Sequence, residues 1–109
     1  MGSEPGHTTN LIGKRIRSRR EDLGWSQEKL GVLIGIDESS SRARISRYEL
    51  GTHEPAVATA RNIAKALGVP LAYLYCEEND VAGLLLVLGK TPTKKRSAVI
   101  STWLEYLAE

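Results

Sequence analysis

The chain has 109 residues, of which 41% are hydrophobic and 26% are charged, and its net charge is +2. This is the composition of one small globular domain, and the longest apolar run, Leu84–Leu88, is far too short to span a membrane. The single cysteine, Cys76, excludes an internal disulfide and fits a reducing compartment. Since the sequence shows no metal-ligand spacing and no cofactor motif, we expect neither a metal nor a cofactor.

Residues 1–10 are polar, lack the apolar core of a signal peptide, and are predicted to be a disordered leader. After them, apolar residues recur at helical spacing and never alternate as in a strand, which predicts an all-α chain. The first predicted helix runs from Leu11 to Leu23. The second runs from Gln27 to Ile34, with Ser26 as its N-cap.

A polar segment, Asp37–Ser41, separates the second helix from a third that is predicted over Arg42–Leu50. Ile45 and Tyr48 form its apolar pair, one helical turn apart. The start of this helix is open, because Asp37 or any of the three serines that follow Glu38 could be its N-cap.

A fourth helix is predicted over Ala56–Leu67 and a short fifth over Leu71–Tyr75. Residues 77–109 are predicted to be a separate helical pair, whose first helix ends at Gly89 and whose second begins after Thr91. Their apolar residues could complete the core or pair with a second copy. The candidates for a dimer interface are Leu84, Leu85, Leu88, Trp103 and Leu107.

Positive charge is concentrated in two places. Five cations lie within residues 14–20, and Arg42, Arg44 and Arg47 lie in the third helix. Local basic surface on a nearly neutral chain is typical of a protein with one nucleic-acid face. The alternative is that these cations are ordinary solvent-exposed side chains on helix surfaces and bind no nucleic acid.

Two helices joined by a short turn, the second one basic, form the helix-turn-helix pattern. The major groove of DNA is about 12 Å wide and admits one α-helix. Such a helix needs one face that anchors it, here Ile45 and Tyr48, and one face of hydrogen-bonding side chains. The residues that can point outward are Arg42, Ala43, Ser46 and Arg47.

The sequence resembles the Xre-type, phage-repressor and Cro-like helix-turn-helix proteins in three segments. These are IGKRIRSRREDLGWSQEKLGVLIGI, ARISRYELGTHEP and ARNIAKALGVPLAYL, which together cover about Leu11–Tyr75. The resemblance implies a five-helix DNA-binding domain over residues 11–76. Residues 77–109 lie beyond the matching segments and are expected to be a dimerisation or packing extension. The resemblance also implies a cytoplasmic regulator, usually a repressor, that binds palindromic double-stranded DNA as a homodimer.

The resemblance further implies residue roles. Arg42, Ala43, Ser46 and Arg47 would contact bases, and Arg20 and Glu49 would form a structural ion pair. Gln27 would bond a phosphate and brace the third helix. The remaining phosphate contacts that the resemblance implies would come from Arg44, Thr52 and His53, and Ser41, in the polar segment before the third helix, is a further candidate for a phosphate contact.

One feature departs from the family pattern. Eleven residues run from Gly35 through Ile45, more than the family usually has there. The extra residues either lengthen the turn or add about one turn to the start of the third helix. They also make Ser39, Ser40 and Ser41 candidates for DNA contact.

The C-terminal helices could make the chain an antitoxin-like module that binds a protein partner and regulates its own gene. An enzyme is not expected, because no paired carboxylates, nucleophile–base pair or phosphate-binding loop appears.

Overall fold

The computed structural model describes residues 11–109, and every regular element in this range is helical, as the sequence predicts. The leader predicted for residues 1–10 lies outside the described residues. None of the helices of residues 11–109 has the length and apolar character to cross a bilayer. The seven helices are α1 (Leu11–Asp22), α2 (Gln27–Leu33), α3 (Glu38–Leu50), α4 (Val57–Leu67), α5 (Leu71–Tyr75), α6 (Asn79–Lys90) and α7 (Thr93–Ala108).

The core lies between the first five helices, each of which contributes at least one large apolar side chain with no exposed surface. Because every one of these helices buries its own apolar stripe in the same cluster, their mutual angles are fixed by a single core. The five residues, in helix order, are Ile16, Leu30, Ile45, Ile63 and Leu74.

The third helix is longer than predicted. It begins at Glu38, four residues before the predicted start at Arg42. Asp37 is its N-cap, and the Asp37 carboxylate accepts a hydrogen bond of 3.0 Å from the backbone N–H of Ser39. The helix ends at Gly51, whose φ of 80° is the left-handed conformation that glycine adopts most readily. The extra residues therefore lengthen α3 rather than the turn before it.

The two C-terminal helices are packed very differently. In α6, Ala82 is buried in the core and Gly89 lies against the ring of Pro70, so close that a Cβ added at Gly89 would be 2.8 Å from the proline Cδ. In α7, no residue is buried. Thus α6 adds to the core of the first five helices, whereas α7 extends away from it.

Candidate nucleic-acid interface

The angle between α2 and α3 is set by a close crossing at Gly31 and Ser41. A Cβ added at Gly31 would lie 2.9 Å from the Cα of Ser41 and 2.7 Å from its Oγ. Only a residue without a side chain fits at this crossing, so the two helices touch almost backbone to backbone.

The structure gives Ser41 a role other than the expected phosphate contact. Its side chain has no exposed surface, and its single hydroxyl hydrogen is shared between the backbone oxygens of Ile36 and Asp37, which lie 3.0 and 2.9 Å from Oγ. A phosphate cannot reach this hydroxyl, because the first turn of α3 rotates Ser41 toward α2. Ser41 is therefore a packing residue, and the prediction that it contacts DNA is wrong.

Near the end of α3, Glu49 connects this helix to α1 and α2. Its carboxylate accepts two hydrogen bonds from Arg20, one from Nε at 2.6 Å and one from Nη2 at 3.0 Å. Their side chains are 11% and 3% exposed, so the ion pair predicted between α1 and α3 is present and buried. The hydrogen bond to Glu49 raises the pKa of Arg20. Arg20 also donates to the backbone oxygen of Trp25 at 2.7 Å, which fixes the loop before α2.

Gln27 reaches the same carboxylate. Its side-chain Nε2 donates to Glu49 Oε1 at 3.0 Å. An amide NH₂ has two donors, so the second hydrogen stays available for an oxygen of DNA. Because Gln27 is also the first residue of α2, its position combines this donor with the free N–H groups of a helix N-terminus.

The face of α3 opposite the core carries a line of small and basic side chains. The buried residues Ser41, Ile45 and Tyr48 define the inner face. At 100° per residue, Ser40, Ala43 and Arg47 lie on the opposite side at spacings of three and four. Ser40 and Ala43 are exposed, and Arg47 and Ser46 are half-exposed.

The three arginines of α3 are uncommitted. Within residues 11–109, none of Arg42, Arg44 and Arg47 has a hydrogen-bond or ion-pair partner for its guanidinium group. Arg42 and Arg44 flank the outward line on its two sides. A helix with small side chains along its centre and cations on its flanks can approach the floor of a groove while its flanks face the phosphates.

The leading end of α3 is acidic. A hydrogen bond to Glu38, together with its charge, raises the pKa of Glu28, and nearby Arg42 opposes this shift. The Ser39 hydroxyl and N–H lower the pKa of the neighbouring carboxyl of Asp37 by hydrogen bonding to it. The carboxyl groups of Glu28 and Glu38 therefore lie together where α2 and α3 begin.

Thr52 and His53 lie directly after α3, and both side chains are exposed. Their backbone N–H groups both donate to the oxygen of Arg47, at 3.0 and 3.2 Å, so the loop folds back over the end of α3. Both residues thus lie at the C-terminal end of the same surface as the outward line.

The cations of α1 are mostly used inside the molecule. Arg19 donates to the backbone oxygen of Leu67 at 3.0 Å, where α4 ends. Arg15 donates to the backbone oxygen of Cys76 at 3.0 and 2.7 Å and to Asn79 Oδ1 at 3.2 Å, so it ties α5 to α6. The sequence shows that these residues are basic, but only the positions of the helix ends reveal that they bind carbonyls.

The residues expected at a dimer interface remain accessible to different degrees. Leu85 and Leu88 are half-buried against the body of the protein. Leu84 is 42% exposed, Trp103 39% and Leu107 76%. The last two belong to α7, which carries most of the uncovered apolar surface of this region.

From the sequence, Ser40 is predicted only as one of three serines that could contact DNA. The available signal was the combination of Asp37 with the serines after it, since an N-cap at Asp37 places Ser40 in phase with Ala43 and Arg47. Among residues 11–109, no three His, Cys, Asp or Glu side chains are grouped so that they could bind a metal ion.

A helix-turn-helix family model matches residues 16–74, which is more than half of the chain. The chain is 41% identical to an uncharacterized HTH-type transcriptional regulator of Sinorhizobium medicae over 64 residues, which cover 59% of this chain and 43% of that protein. It is 36% identical to the repressor protein C2 of Salmonella phage P22 over 66 residues, 61% of this chain and 29% of the repressor. The chain spans about half the length of the curated relatives it matches.

Among solved structures, the transcriptional regulator BswR is similar over nearly its whole length. The two share 36% sequence identity with a TM-score of 0.80, over 88% of this chain and 95% of that one. The similarity therefore extends beyond residues 16–74 into the C-terminal helices. The chain belongs to the Xre-type, phage-repressor-like helix-turn-helix family of DNA-binding transcriptional regulators.

Proposed function

We propose that this protein is a cytoplasmic repressor that binds a palindromic operator as a homodimer and reads the major groove with α3. The observation that carries the proposal is the outward line of α3, Ser40, Ala43 and Arg47, opposite a face fixed in the core. A helix held rigidly from behind presents its free side chains to DNA at a defined depth and angle.

We assign base reading to Arg47, Ala43, Ser46 and, as an addition from the structure, Ser40. Arginine can donate two hydrogen bonds to the O6 and N7 of guanine, which is worth about 1–3 kcal/mol of discrimination. The methyl group of Ala43 fits against the methyl group of thymine. The serine hydroxyls can donate to or accept from any base edge.

We assign backbone contacts to the residues around this line. Arg44 lies on one flank and contacts phosphate. Arg42 lies on the other flank, where the edge of the groove offers both bases and phosphates. Thr52 and His53 contact phosphates through their exposed side chains at one end of the surface. At the other end, the half-buried Gln27 does so through its remaining amide hydrogen and the N-terminus of α2.

The repressor assignment is supported by relatives whose names describe repressors, such as the repressor protein C2 of phage P22. The homodimer is supported by the uncovered apolar side chains of Leu84, Trp103 and Leu107. In a homodimer, two copies of α3 would enter successive major grooves about 34 Å apart.

Selection from a random pool of double-stranded oligonucleotides tests the proposal. We expect the purified full chain to enrich an inverted repeat whose half-sites are separated by about one helical turn. A pool with no enriched motif would contradict sequence-specific binding. Enrichment of a single half-site, without an inverted repeat, would retain base reading and reject the homodimer.

A further inference from the structure

Helix α7 is attached to the body of the protein only at its beginning. In its first half, Arg96, Val99 and Ile100 are half-buried, whereas all residues from 101 to 109 are exposed. Trp103 is 39% exposed, Leu104 64% and Leu107 76%. The radius of gyration is 15.7 Å, whereas a compact domain of this size has one of about 13 Å. The second half of α7 is thus an apolar arm without a covering element among residues 11–109.

The charges of α7 are divided between its two ends. We call residues 93–96 the base and residues 103–109 the tip. The base contains three cations, Lys94, Lys95 and Arg96, and the tip contains Glu105 and Glu109. Arg96 donates to the backbone oxygen of Leu88 at 3.3 Å, at the end of α6. Within residues 11–109, Lys94 and Lys95 are therefore the cations of the base that are available to a partner.

This placement is opposite to what an isolated helix favours. The N-terminus of a helix carries partial positive charge and is stabilised by acidic residues, and the C-terminus is stabilised by basic ones. In α7 the base is basic and the tip is acidic, so both ends interact unfavourably with the field of their own helix. An external partner with the opposite distribution of charge would remove both penalties.

We propose that this partner is the α7 of a second copy, packed antiparallel, so that each acidic tip lies beside the basic base of the other subunit. Antiparallel packing opposes unlike charges at both ends and places the two helix dipoles in opposite directions. Parallel packing would instead align base with base and tip with tip. The proposal rests on the homodimer proposed above and adds the surface and the orientation of its two subunits.

The apolar residues of α7 fit this arrangement. Ile100, Trp103 and Leu107 follow one another at spacings of three and four, so they form one stripe that runs from the middle of α7 to the tip. A groove of about 570 Å³ opens beside the base, between Val69, Pro70, Leu88 and Ile100. In an antiparallel pair, the tip of the partner subunit lies against this end of α7, where the groove can accept its large apolar side chains. Such a two-fold contact is self-complementary and closed.

Two charge-reversal variants of the full chain test the orientation. The tip variant carries Glu105→Lys with Glu109→Lys, and the base variant carries Lys94→Glu with Lys95→Glu. Both pairs of substitutions agree better with the helix dipole than the natural residues, so neither is expected to unfold α7. The measurement is the dimer dissociation constant by sedimentation equilibrium at low salt, for each variant and for their equimolar mixture.

For antiparallel helices, each variant alone opposes like charges at both ends, and we expect its dimer to dissociate about tenfold more readily than wild type. Mixing the two variants restores opposite charges at both ends, so the mixed dimer should regain the wild-type dissociation constant. A tip variant that dimerises as well as wild type would overturn the antiparallel arrangement and leave the homodimer standing. A wild-type chain that stays monomeric at all accessible concentrations would overturn both the arrangement and the homodimer, while DNA binding is measured separately on half-site DNA.

Discussion

Glu49 is the residue that connects the fold to the proposed DNA-binding surface. Its carboxylate holds Arg20 of α1 and Gln27 of α2, while its own helix, α3, carries the proposed base readers on the opposite side. Removing one partner of a buried ion pair leaves the other charge without compensation, which costs more than the pair itself contributes. Glu49 is therefore expected to matter for stability first and for DNA binding through the position of α3.

The substitution Glu49→Gln keeps the size of the side chain and removes its charge, leaving Arg20 only 11% exposed and without a counter-ion. We expect the free energy of unfolding to fall by about 3 kcal/mol, measured by urea denaturation. The control is Glu21→Gln, which breaks the exposed pair with Arg17 and is expected to cost less than about 0.5 kcal/mol. Equal losses of unfolding free energy in the two variants would show that the buried ion pair stabilises the protein no more than the exposed one.

Ser41 shows why some residue roles could not be predicted from the sequence. A serine in a polar segment before a basic helix is an ordinary candidate for a phosphate contact. Its real position depends on where α3 begins, because a start at Glu38 turns Ser41 inward onto Gly31. The ion pair of Arg20 and Glu49 was predictable because the family resemblance fixed both partners, and neither lies within the extra turn.

At the scale of elements, the extra turn of α3 is the main difference between this chain and the family pattern. Four residues, Glu38–Ser41, extend the helix by about one turn, or 6 Å. The number, order and type of the first five helices could be predicted from apolar spacing and from caps such as Ser26. The start of α3 could not, because four of the five consecutive polar residues Asp37–Ser41 are suitable caps and no apolar residue marks the first turn.

The crossing of α2 and α3 is expected to tolerate no side chain at position 31. Gly31→Ala places a Cβ within 2.9 Å of the Ser41 backbone, and we expect a loss of about 1–3 kcal/mol in the free energy of unfolding. Gly83→Ala in α6 is the matched control, because a Cβ there meets no atom within 4 Å. It is expected to stabilise by up to about 1 kcal/mol through helix propensity.

A second substitution connects the loss to the crossing itself. Ser41→Gly removes the side chain that the new Cβ would strike, so Gly31→Ala combined with Ser41→Gly should cost less than the sum of the two single changes. Strict additivity in this double-mutant cycle would contradict the close contact of the two helices.

The acidic leading end of α3 predicts a pH dependence. Glu38 raises the pKa of Glu28 in the folded chain, so the folded state binds this proton more tightly than the unfolded state. The resulting contribution to stability is complete below the ordinary glutamate pKa of about 4.3 and is lost as pH rises through the raised value. Glu38→Gln is expected to flatten this dependence and to raise the unfolding temperature at neutral pH.

The measurement is the thermal midpoint of both chains across the weakly acidic range. Asp37, whose pKa is lowered, titrates in both and cancels in the comparison. As a control, Glu54→Gln removes an exposed carboxylate that follows the other end of α3. Glu54 is separated from Glu38 by more than the whole length of that helix. If Glu38→Gln and Glu54→Gln respond to pH in the same way, the pair with Glu28 is not the cause.

At the scale of the whole molecule, the chain is nearly neutral, with a net charge of +2. In the proposed function, its affinity for DNA comes from a local set of cations on α3 rather than from its overall charge. If Arg42 and Arg44 each neutralise one phosphate in both subunits, about four phosphates are involved, and log K is expected to fall with log salt at a slope of about −3 to −4. Binding to the selected operator that does not change between low and moderate salt would contradict this account.

The central claim is that α3 reads bases along its outward line and holds phosphates along its flanks. Arg47→Ala and Arg44→Ala remove the same charge from the same helix, so they form a matched pair. The measurement is the dissociation constant of each variant for the selected operator and for every single-base change within it. For Arg47→Ala we expect one position in each half-site to lose its preference, by about 1–3 kcal/mol. For Arg44→Ala we expect a uniform loss with the preference profile unchanged. An unchanged profile for Arg47→Ala would contradict the account.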